Sequence, residues 1–402
     1  MFLTKEENER LTQVGPGTDG GNLLRRYWHP IAGLHEVSEE SPTKFVRILG
    51  EDLVLFRDKS GNVGLLSDHC SHRGASLLYG RVEERGISCA YHGWLYDVEG
   101  NCLETPAEPA DSLFRLTVKQ RAYPVQKLFG LYWAYLGPTP VPPIRRLDIM
   151  SYEVEHVMEM EFDANWVQVV ENNLDGSHIY VLHQATLGKK DAVKSTTRGL
   201  IDHLESLQYR EVPFGIMRRM ATDDGYVEED PLIFPNMLRR MCELSIKVPI
   251  DDHRTKKFAL FVDIAKKAHD QDDEGADYYV FPQEQGKSAA LTPYPEATYK
   301  MTSLRYQDVM AIETQGQVTV RDNWHPGTAD VGVAMFDRMI MREMDRVRDG
   351  ADPLGLFRDS DRVIDTNLEI LHVIGGQTGG PQGKLVHSRK HTPTPELADV
   401  SS

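Results

Sequence analysis

Short apolar runs separated by turn residues dominate the first third of the chain. Between residues 44 and 67 the runs VRILG, LVLF and VGLL are divided by GED and DKSGN, which is typical of strands joined by tight turns. FGLYWAYLGP, from Phe129 to Pro138, predicts a further strand. The proline-rich PTPVPP after it indicates a rigid exit, so we expect a domain boundary near residue 140.

Helical patterns occur at the N-terminus and again beyond residue 140. TKEE at residues 4–7 has the form of a capping box and predicts a short helix, which GPGTDGG should end. VEHVMEMEF predicts a strand, ANWVQVVENNLDGSHIYVLHQ a helical segment, and residues 205–265 return to strand patterning. Helices are expected at 304–320, 330–348 and 361–373.

Composition and charge narrow the class of protein. The 402-residue chain is 40% hydrophobic and 26% charged, which is ordinary for a soluble globular protein of about two or three domains. Its 61 acidic residues against 45 basic ones give a net charge of −16, which argues against nucleic acid or an anionic membrane surface as a partner. The N-terminus is polar, and no run reaches about 18 apolar residues. We therefore expect a cytoplasmic protein with no membrane partner.

One segment combines two cysteines with two histidines. Cys70-x-His72 is followed by Cys89-x-x-His92 in the loops of the strand-rich region. Two thiolates and two imidazoles would satisfy a tetrahedral zinc ion. However, each short segment supplies one cysteine and one histidine, which suits a two-iron cluster with the cysteines on one iron and the histidines on the other. Glycines follow both pairs and allow tight turns whose N–H groups can point at sulfide.

A second group of candidate metal ligands lies in ENNLDGSHIYVLHQ. On a helix, Asp175 and His178 are three residues apart and share a face. The five-residue step from His178 to His183 rotates about 140° around a helix, so the two imidazoles converge only where the helix ends or bends. Such convergence indicates a ligand role. The alternative is a pair of ordinary surface or core histidines, and this segment alone leaves both open.

The two motifs together resemble those of Rieske non-heme iron oxygenases. HRG in the first motif and HGW in the second are similar to the Rieske motif, and Asn172-x-x-Asp175-x-x-His178-x4-His183 is similar to the mononuclear iron motif of that family. LLRRYWHP near the N-terminus and VPIDDHRT from Val248 also resemble the family, so the similarity covers nearly the whole chain. It points to the phthalate-dioxygenase-like branch, which includes O-demethylases of lignin-derived aromatic acids.

The resemblance implies an α+β fold with two principal domains. An N-terminal β-sandwich Rieske domain would occupy residues 41–140. A helix-grip catalytic domain, in which an antiparallel sheet wraps a long helix, would occupy residues 141–390. Residues 1–40 would form a helical segment packed on the catalytic domain, and residues 391–402 would form a disordered tail.

The resemblance also implies the ligands of two metal centres. Those of the [2Fe–2S] cluster would be Cys70, His72, Cys89 and His92. The ligands of a mononuclear Fe(II), which keeps open positions for O₂, would be His178, His183 and Asp308. Asn172 would lie next to these ligands without binding the iron. Asp308, the implied third iron ligand, lies in RYQDVMAIETQG. The other carboxylates considered for this role are Glu313, Asp322 and Asp330.

A separate role is implied for Asp175. It precedes His178 by less than one helical turn, so its carboxylate can accept the second N–H of that imidazole. In the family this aspartate also reaches a cluster histidine, here His92, of a neighbouring subunit. Electrons would then pass between subunits of a head-to-tail homotrimer or of a dimer of trimers. The alternative is a carboxylate that only caps or solvates the helix.

The activity that the resemblance implies is that of a terminal oxygenase component. Electrons from NAD(P)H would arrive through a separate reductase or ferredoxin, because no glycine-rich dinucleotide fingerprint follows a strand in this chain. With O₂ as co-substrate the enzyme would oxidise an aromatic carboxylate. The reaction would be O-demethylation of a methoxylated lignin-type acid with release of formaldehyde, or else phthalate-type ring hydroxylation. A Rieske electron carrier and a zinc-dependent structural protein are the alternatives from other classes.

An anionic aromatic substrate needs local cations in so acidic a chain. Two arginine pairs lie in the strand-rich region expected to line the substrate pocket, namely Arg218, Arg219, Arg239 and Arg240. Arginine suits bidentate carboxylate binding. In a strand at most one residue of each adjacent pair faces inward, and surface ion pairs are the alternative for all four.

Overall fold

The structure is a computed structural model that describes residues 3–183, 204–223, 225–268, 276–281, 299, 303–358 and 362–366, and the backbone of a last strand at 384–387. These residues form the predicted α+β fold, with small antiparallel sheets over the first third and one large sheet with helices after them. The tail expected at 391–402 lies outside the described residues. None of the helices in the described ranges has the length and apolar content needed to span a bilayer.

Three antiparallel sheets build the N-terminal region. Their strands are β1 (Trp28–Gly33), β2 (Thr43–Ile48), β3 (Glu51–Arg57), β4 (Val63–Ser67), β5 (Arg81–Glu83), β6 (Gly86–Ser88), β7 (Leu95–Tyr96), β8 (Cys102–Glu104), β9 (Ala122–Tyr123), β10 (Val125–Leu128) and β11 (Leu131–Tyr135). The sheet orders are β1-β11-β10, β2-β3-β4-β9 and β5-β6-β7-β8. Because successive side chains of a strand point to opposite faces, Leu53 and Leu55 of β3 enter one core while Val54 and Phe56 enter another.

A nine-stranded sheet dominates the rest of the chain. The remaining strands are β12 (Arg146–Leu147), β13 (Tyr152–Phe162), β14 (Leu204–Val212), β15 (Gly215–Thr222), β16 (Val227–Ile233), β17 (Met237–Arg240), β18 (Glu243–Pro249), β19 (Thr255–Lys267), β20 (Asp277–Phe281), β21 (Val363–Ile364) and β22 (Lys384–His387). The large sheet has the order β14-β15-β16-β17-β18-β19-β13-β20-β22. All its neighbours are antiparallel except β13 and β20. The strand patterning expected over 205–265 is thereby confirmed.

Helices pack against this sheet. The described α-helices are α1 (Lys5–Thr12), α2 (Asp19–Leu24), α3 (Trp166–Leu174), α4 (His178–Val181), α5 (Leu304–Glu313) and α6 (Val331–Arg348). The longest, α6, buries Phe336, Ile340 and Met344, whose spacing of four residues forms one apolar stripe. The Phe336 ring meets the Trp166 ring of α3 edge-on, with centroids 6.1 Å apart. A largely antiparallel sheet packed on a long helix is the expected helix-grip arrangement.

The N-terminal segment contacts both parts of the molecule. Thr4 and Glu7 form the predicted capping box of α1, and Arg10 binds Asp345 of α6 at 2.6 Å. GPGTDGG ends α1 as expected, but it also contains the start of α2. The segment 1–40, expected to be helical, includes strand β1, which pairs with β11. The domain boundaries near residues 40 and 140 stay predictions.

Two of the three helices expected in the C-terminal third differ from the prediction. The helix at 330–348 is confirmed as α6. However, α5 ends at Glu313 and does not reach residue 320, because the chain turns away through Gly316, whose φ is +91°. At 361–373 the described residues form strand β21, parallel to β12, since Val363 and Ile364 are β-branched. The remainder, 367–373, lies outside the described residues.

The start of α2 yields a test of this packing. A Cβ on Gly20 would lie 2.3 Å from the carbonyl oxygen of Gln13, whereas Gly15 has no atom within 4 Å of such a Cβ. We predict that Gly20→Ala lowers the free energy of unfolding by about 1–3 kcal/mol, because the backbone must shift to make room. Chemical denaturation of the holoprotein measures this, with Gly15→Ala as the matched control. Equal stability of the two variants would contradict the packing described.

Candidate functional site

Two loops of the N-terminal region bring the four candidate cluster ligands together. Cys70 follows β4, and Cys89 lies between β6 and β7. In each loop the glycine four residues after the cysteine donates its N–H to the cysteine carbonyl, Gly74 to Cys70 at 2.8 Å and Gly93 to Cys89 at 2.9 Å. The φ angles of these glycines are +75° and +74°, a conformation that favours glycine. The same tight turn is therefore built twice.

The two histidines complete this group. The ring centroids of His72 and His92 are 4.6 Å apart, and His72 stacks on Trp94 at 4.1 Å. Nδ1 of His72 is buried and has no hydrogen-bond partner among the described residues. A buried nitrogen without a partner is unfavourable, and this one fits a metal ligand. The Tyr96 hydroxyl lies 3.3 Å from Sγ of Cys70, where it can donate to a cluster thiolate.

The spread of the four side chains distinguishes one zinc ion from two irons. The ligands of a tetrahedral zinc lie about 3–4 Å from one another, given metal–ligand distances of about 2.0–2.3 Å. Within the described ranges, no three of Cys70, His72, Cys89 and His92 have ligand atoms that all lie within 4.8 Å of one another. Two ligands on each of two irons span a larger distance than the ligands of one ion, so this spacing is compatible with a two-iron cluster.

The second group of ligands forms where two helical segments face each other. α3 ends at Leu174, and the short helix α4 begins at His178 and ends at Val181. The helix therefore ends between the two histidines, as their spacing requires. Nε2 of His183 lies 3.1 Å from Oδ1 of Asp308 in α5, and Nε2 of His178 lies 3.6 Å from the same oxygen. The three ligand atoms lie within 4.8 Å of one another. Two imidazoles and one carboxylate placed this way fit an Fe(II) ion with open positions.

Each imidazole of this group has a second partner that can orient it. Nδ1 of His183 is 2.8 Å from Oε1 of Gln307, so its N–H donates to the amide and the Nε2 lone pair points toward Asp308. Nδ1 of His178 lies 3.4 Å from Oδ2 of Asp175, a close contact that does not have the geometry of a hydrogen bond. Such partners fix the tautomer and orientation of metal-binding histidines. Gln307 was not predicted from the sequence, because its position relative to His183 depends on how α5 packs.

Asp175 has two kinds of contact. Its Oδ1 accepts the N–H of Ser177 at 2.9 Å and the Ser177 hydroxyl at 2.6 Å, so the helix-capping role considered above is present. Burial would raise the pKa of Asp175, but contacts with His178 and Ser177 lower it to about 2, and the carboxylate is ionised at neutral pH. Asn172 lies at the edge of the ligand group, with Nδ2 3.5 Å from Oδ1 of Asp308.

The structure separates Asp308 from the other carboxylates considered for the third ligand. Glu313 accepts the backbone N–H of Asp163 at 2.9 Å. Asp330 accepts a backbone N–H in the turn before α6 at 2.6 Å, and Asp322 is exposed. Only Asp308 of these four joins the two histidines. Burial would raise the pKa of Asp308, but the two imidazoles lower it, which favours the ionised form that binds metal.

A cavity of about 170 Å³ borders this ligand group. Its apolar lining includes Phe162, Val169, Leu238 and Ile312. Arg218 and Arg240 also line it, while Arg219 and Arg239 do not, as the alternation of side chains along a strand requires. One member of each predicted arginine pair thus reaches the cavity beside the candidate iron ligands.

Both arginines at the cavity already have anionic partners. Arg218 forms an ion pair with Asp230 and donates to the Asn173 carbonyl at 3.1 Å. Arg240 binds Glu228 at 2.6 Å. The Arg218–Asp230 pair is buried, and opening it would leave both charges without compensation. The Arg240 side chain is 41% exposed, but it already binds Glu228. The assignment of substrate binding to one of the four arginines stays a prediction, and these contacts weigh against it.

A larger, open cleft of about 830 Å³ reaches one of the three ligands, His178. Its lining includes Asp175 and His178 together with residues of α6. The side chain of Asp175 is 31% exposed, whereas that of His183 is 7% exposed. Asp175 and His178 line this cleft, whereas His183 and Asp308 do not, so the cleft gives access to the site at the Asp175–His178 pair.

Comparison with known proteins identifies the family to which the chain belongs. Residues 27–124 match the family model of the Rieske [2Fe–2S] domain. The chain is 33% identical to the 5,5'-dehydrodivanillate O-demethylase oxygenase subunit of Sphingobium sp. (strain NBRC 103272 / SYK-6), over 89% of this chain and 84% of that protein. It is also 33% identical to the phenoxybenzoate dioxygenase subunit alpha of Ectopseudomonas oleovorans, over 88% and 89% of the two chains. The structure of NdmB from Pseudomonas putida CBB5 matches with a TM-score of 0.59 at 20% identity, covering 84% of this chain and 95% of that one.

The fold, the two ligand groups and these matches define an iron-dependent oxidoreductase with a Rieske centre. The chain belongs to the family of Rieske non-heme iron oxygenase alpha subunits. Its cofactors are accordingly a [2Fe–2S] cluster and a mononuclear iron, and O₂ is the co-substrate. A pure electron carrier and a zinc-dependent structural protein are excluded by this membership.

The contact between Gln307 and His183 generates a prediction for iron affinity. We expect Gln307→Leu to weaken binding of the mononuclear iron by about 10–100-fold, because the imidazole loses the acceptor that orients it. Titration of Fe(II) into protein stripped of its mononuclear iron measures this, while the visible absorbance of the cluster should not change. Gln315→Leu, an exposed position near the end of the same helix, is the control. Equal iron affinity in the two variants would show that Gln307 does not orient His183 for iron binding.

Proposed function

We propose that this oxygenase removes the methyl group of a methoxylated aromatic carboxylate. In this proposal the cluster ligands are Cys70, His72, Cys89 and His92, and the iron ligands are His178, His183 and Asp308. The observation that carries the proposal is the convergence of the last three side chains within 4.8 Å beside a partly apolar cavity. When bound there, the iron supplies activation of O₂ at its open positions.

The overall reaction balances with two external electrons. The aryl methyl ether, O₂, two electrons and two protons give a hemiacetal and water, and the hemiacetal collapses to a phenol and formaldehyde. The electrons come from NAD(P)H through a separate reductase or ferredoxin, since this chain carries no glycine-rich dinucleotide fingerprint. The role of the protein is to bind the ring, to present one C–H bond to the metal and to exclude water.

Two features support an aromatic acid as the substrate. The cavity combines apolar side chains such as Phe162 and Leu238 with basic groups, which suits a ring that bears a carboxylate. The names of two relatives, a dehydrodivanillate O-demethylase and a phenoxybenzoate dioxygenase, also denote aromatic acids as substrates. The first of these names supports demethylation in particular. The cytoplasmic location stays a prediction.

We also propose that the electrons cross from one subunit to the next at Asp175. The carboxylate faces the Nδ1 of His178 at 3.4 Å and lines the open cleft, so one side of it can receive a neighbouring protein surface. In the N-terminal region His92 is only partly buried, and Tyr91 beside it is 57% exposed. A head-to-tail homotrimer, alone or as a dimer of trimers, would bring a cluster of one subunit to the iron of the next.

Turnover with defined substrates tests the proposed reaction. The oxygenase, supplied with a Rieske-oxygenase reductase and NADH, is offered methoxylated and dicarboxylated benzoates while O₂ uptake and formaldehyde are measured. We expect formaldehyde in proportion to the O₂ consumed from at least one methoxybenzoate. A dihydrodiol without formaldehyde would assign ring hydroxylation instead.

The role of Asp175 is tested by single-turnover kinetics. We predict that Asp175→Asn slows reoxidation of the pre-reduced cluster, in the presence of substrate and O₂, by about 10–100-fold. The mononuclear iron content should stay near that of the wild type, because asparagine keeps an oxygen that can accept the N–H of His178. Asp330→Asn removes the same charge from the lining of the same cleft and is the control. Equal reoxidation rates in the two variants would contradict the proposed route.

A further inference from the structure

One face of β18 carries polar side chains into the cavity beside the iron ligands. Glu243, Ser245 and Lys247 line the cavity, while the alternate residues Leu244 and Ile246 belong to the main hydrophobic core. This is the two-residue period of a strand. The strand alternation therefore directs the Lys247 side chain into the cavity, and the opposite face of β18 is covered by the hydrophobic core.

Lys247 lies in a strongly desolvated position without a counter-ion. The residue has 0% relative exposure, and its Nζ has no hydrogen-bond partner in the described part of the chain. The hydroxyl of Ser245, two residues earlier on the same face, is also buried and without a partner. Burying an ammonium group without compensation is costly, so a lysine kept in this state calls for an explanation.

The neighbouring strand increases this cost. Lys247 stands directly opposite Lys257 in the register of β18 and β19, and Lys257 lines the same cavity. Like charges placed opposite each other across two strands repel. Burial first, and then the charges of Lys257 and Arg240, lower the pKa of Lys247 well below its ordinary value, with Glu243 acting in the opposite direction. An anion placed between the lysines would relieve this strain.

The other cations around the cavity have anionic partners. Arg218 and Arg240 are paired with Asp230 and Glu228, as described above. Lys257 lies 3.8 Å from Glu243. Among the described residues that line the cavity, Lys247 is therefore the cation that lacks an ion-pair partner.

We propose that Lys247, assisted by the Ser245 hydroxyl, binds the carboxylate of the aromatic substrate. This assignment rests on the proposed function, which places an aromatic acid in this cavity. In this proposal the substrate carboxylate is bound by a lysine in the otherwise apolar strand segment LSIKVPI, and not by one of the four arginines. At the fully buried Lys247, an ammonium–carboxylate contact is a strong charge-assisted hydrogen bond. Because the carboxylate is held at Lys247, this contact also determines which edge of the aromatic ring faces the iron ligands.

Binding measurements with a charged and a neutral probe test this proposal. The probes are 3-methoxybenzoate and 3-methoxybenzamide, and the proteins are the wild type, Lys247→Met and Lys247→Arg, each with both metal centres loaded and the cluster oxidised. We expect the wild type to prefer the carboxylate. Lys247→Met should lose about 10–100-fold in carboxylate affinity, with a change of less than about threefold for the amide. Lys247→Arg should recover part of the loss.

Two controls keep the result specific to Lys247. Lys257→Met removes the opposite lysine, which already faces Glu243, and should reduce carboxylate affinity by a smaller factor than Lys247→Met. Ser245→Ala, a smaller change on the same face, should weaken carboxylate binding by about threefold to tenfold. It also serves as the second variant if Lys247→Met does not fold. Iron content and the thermal transition of each variant report whether the cavity is intact.

The outcomes separate this inference from the proposed function. Wild-type protein that binds the amide as tightly as the carboxylate, or Lys247→Met that keeps the wild-type preference, overturns the assignment to Lys247 even if the wild type releases formaldehyde. Wild-type protein that binds neither probe overturns the assignment too. Loss of carboxylate preference in Lys247→Met supports it even if the product of the wild type proves to be a dihydrodiol, which would overturn the proposed demethylation alone.

Discussion

The contact between Asp308 and the two imidazoles depends on how α5 is fixed against α3. The Gln168 side chain in α3 donates to the carbonyls of Ile312 and Gly316 at 3.1 and 2.8 Å, and Glu313 accepts a backbone N–H just before α3 at 2.9 Å. These buried bonds tie together two helices that are far apart in the chain. A slip of one helical turn would move Asp308 by about 5.4 Å and would separate it from both histidines.

Electrostatics in this region are local and bear little relation to the net charge of the chain. Each carboxylate near the cavity has a distinct partner: Asp308 lies between the imidazoles, Asp175 faces His178, and Asp230 and Glu228 hold the two arginines. The result is a cavity wall in which most charges are already compensated. An uncompensated group such as Lys247 therefore has a large effect on what the cavity can bind.

The sequence was most informative where chemistry is tied to spacing along the chain. The cysteine–histidine pairs indicated the cluster, and the step from His178 to His183 required the helix end that the structure places at Val181. Asp308 was identified through family resemblance, because nothing local distinguishes it from Glu313. Gln307 and Lys247 were not found, since their importance depends on how α5 packs and on the register of β18 with β19. The α+β class was likewise predicted through the family resemblance, and the local strand and helix patterns agreed with it.

Anomalous diffraction at the iron edge, from crystals of the iron-loaded protein, tests the central claim most directly. The account predicts a close pair of iron positions among Cys70, His72, Cys89 and His92, and a separate single iron among His178, His183 and Asp308. An iron bound instead at Glu313 or Asp330, or a single metal position between the two cysteines, would contradict it.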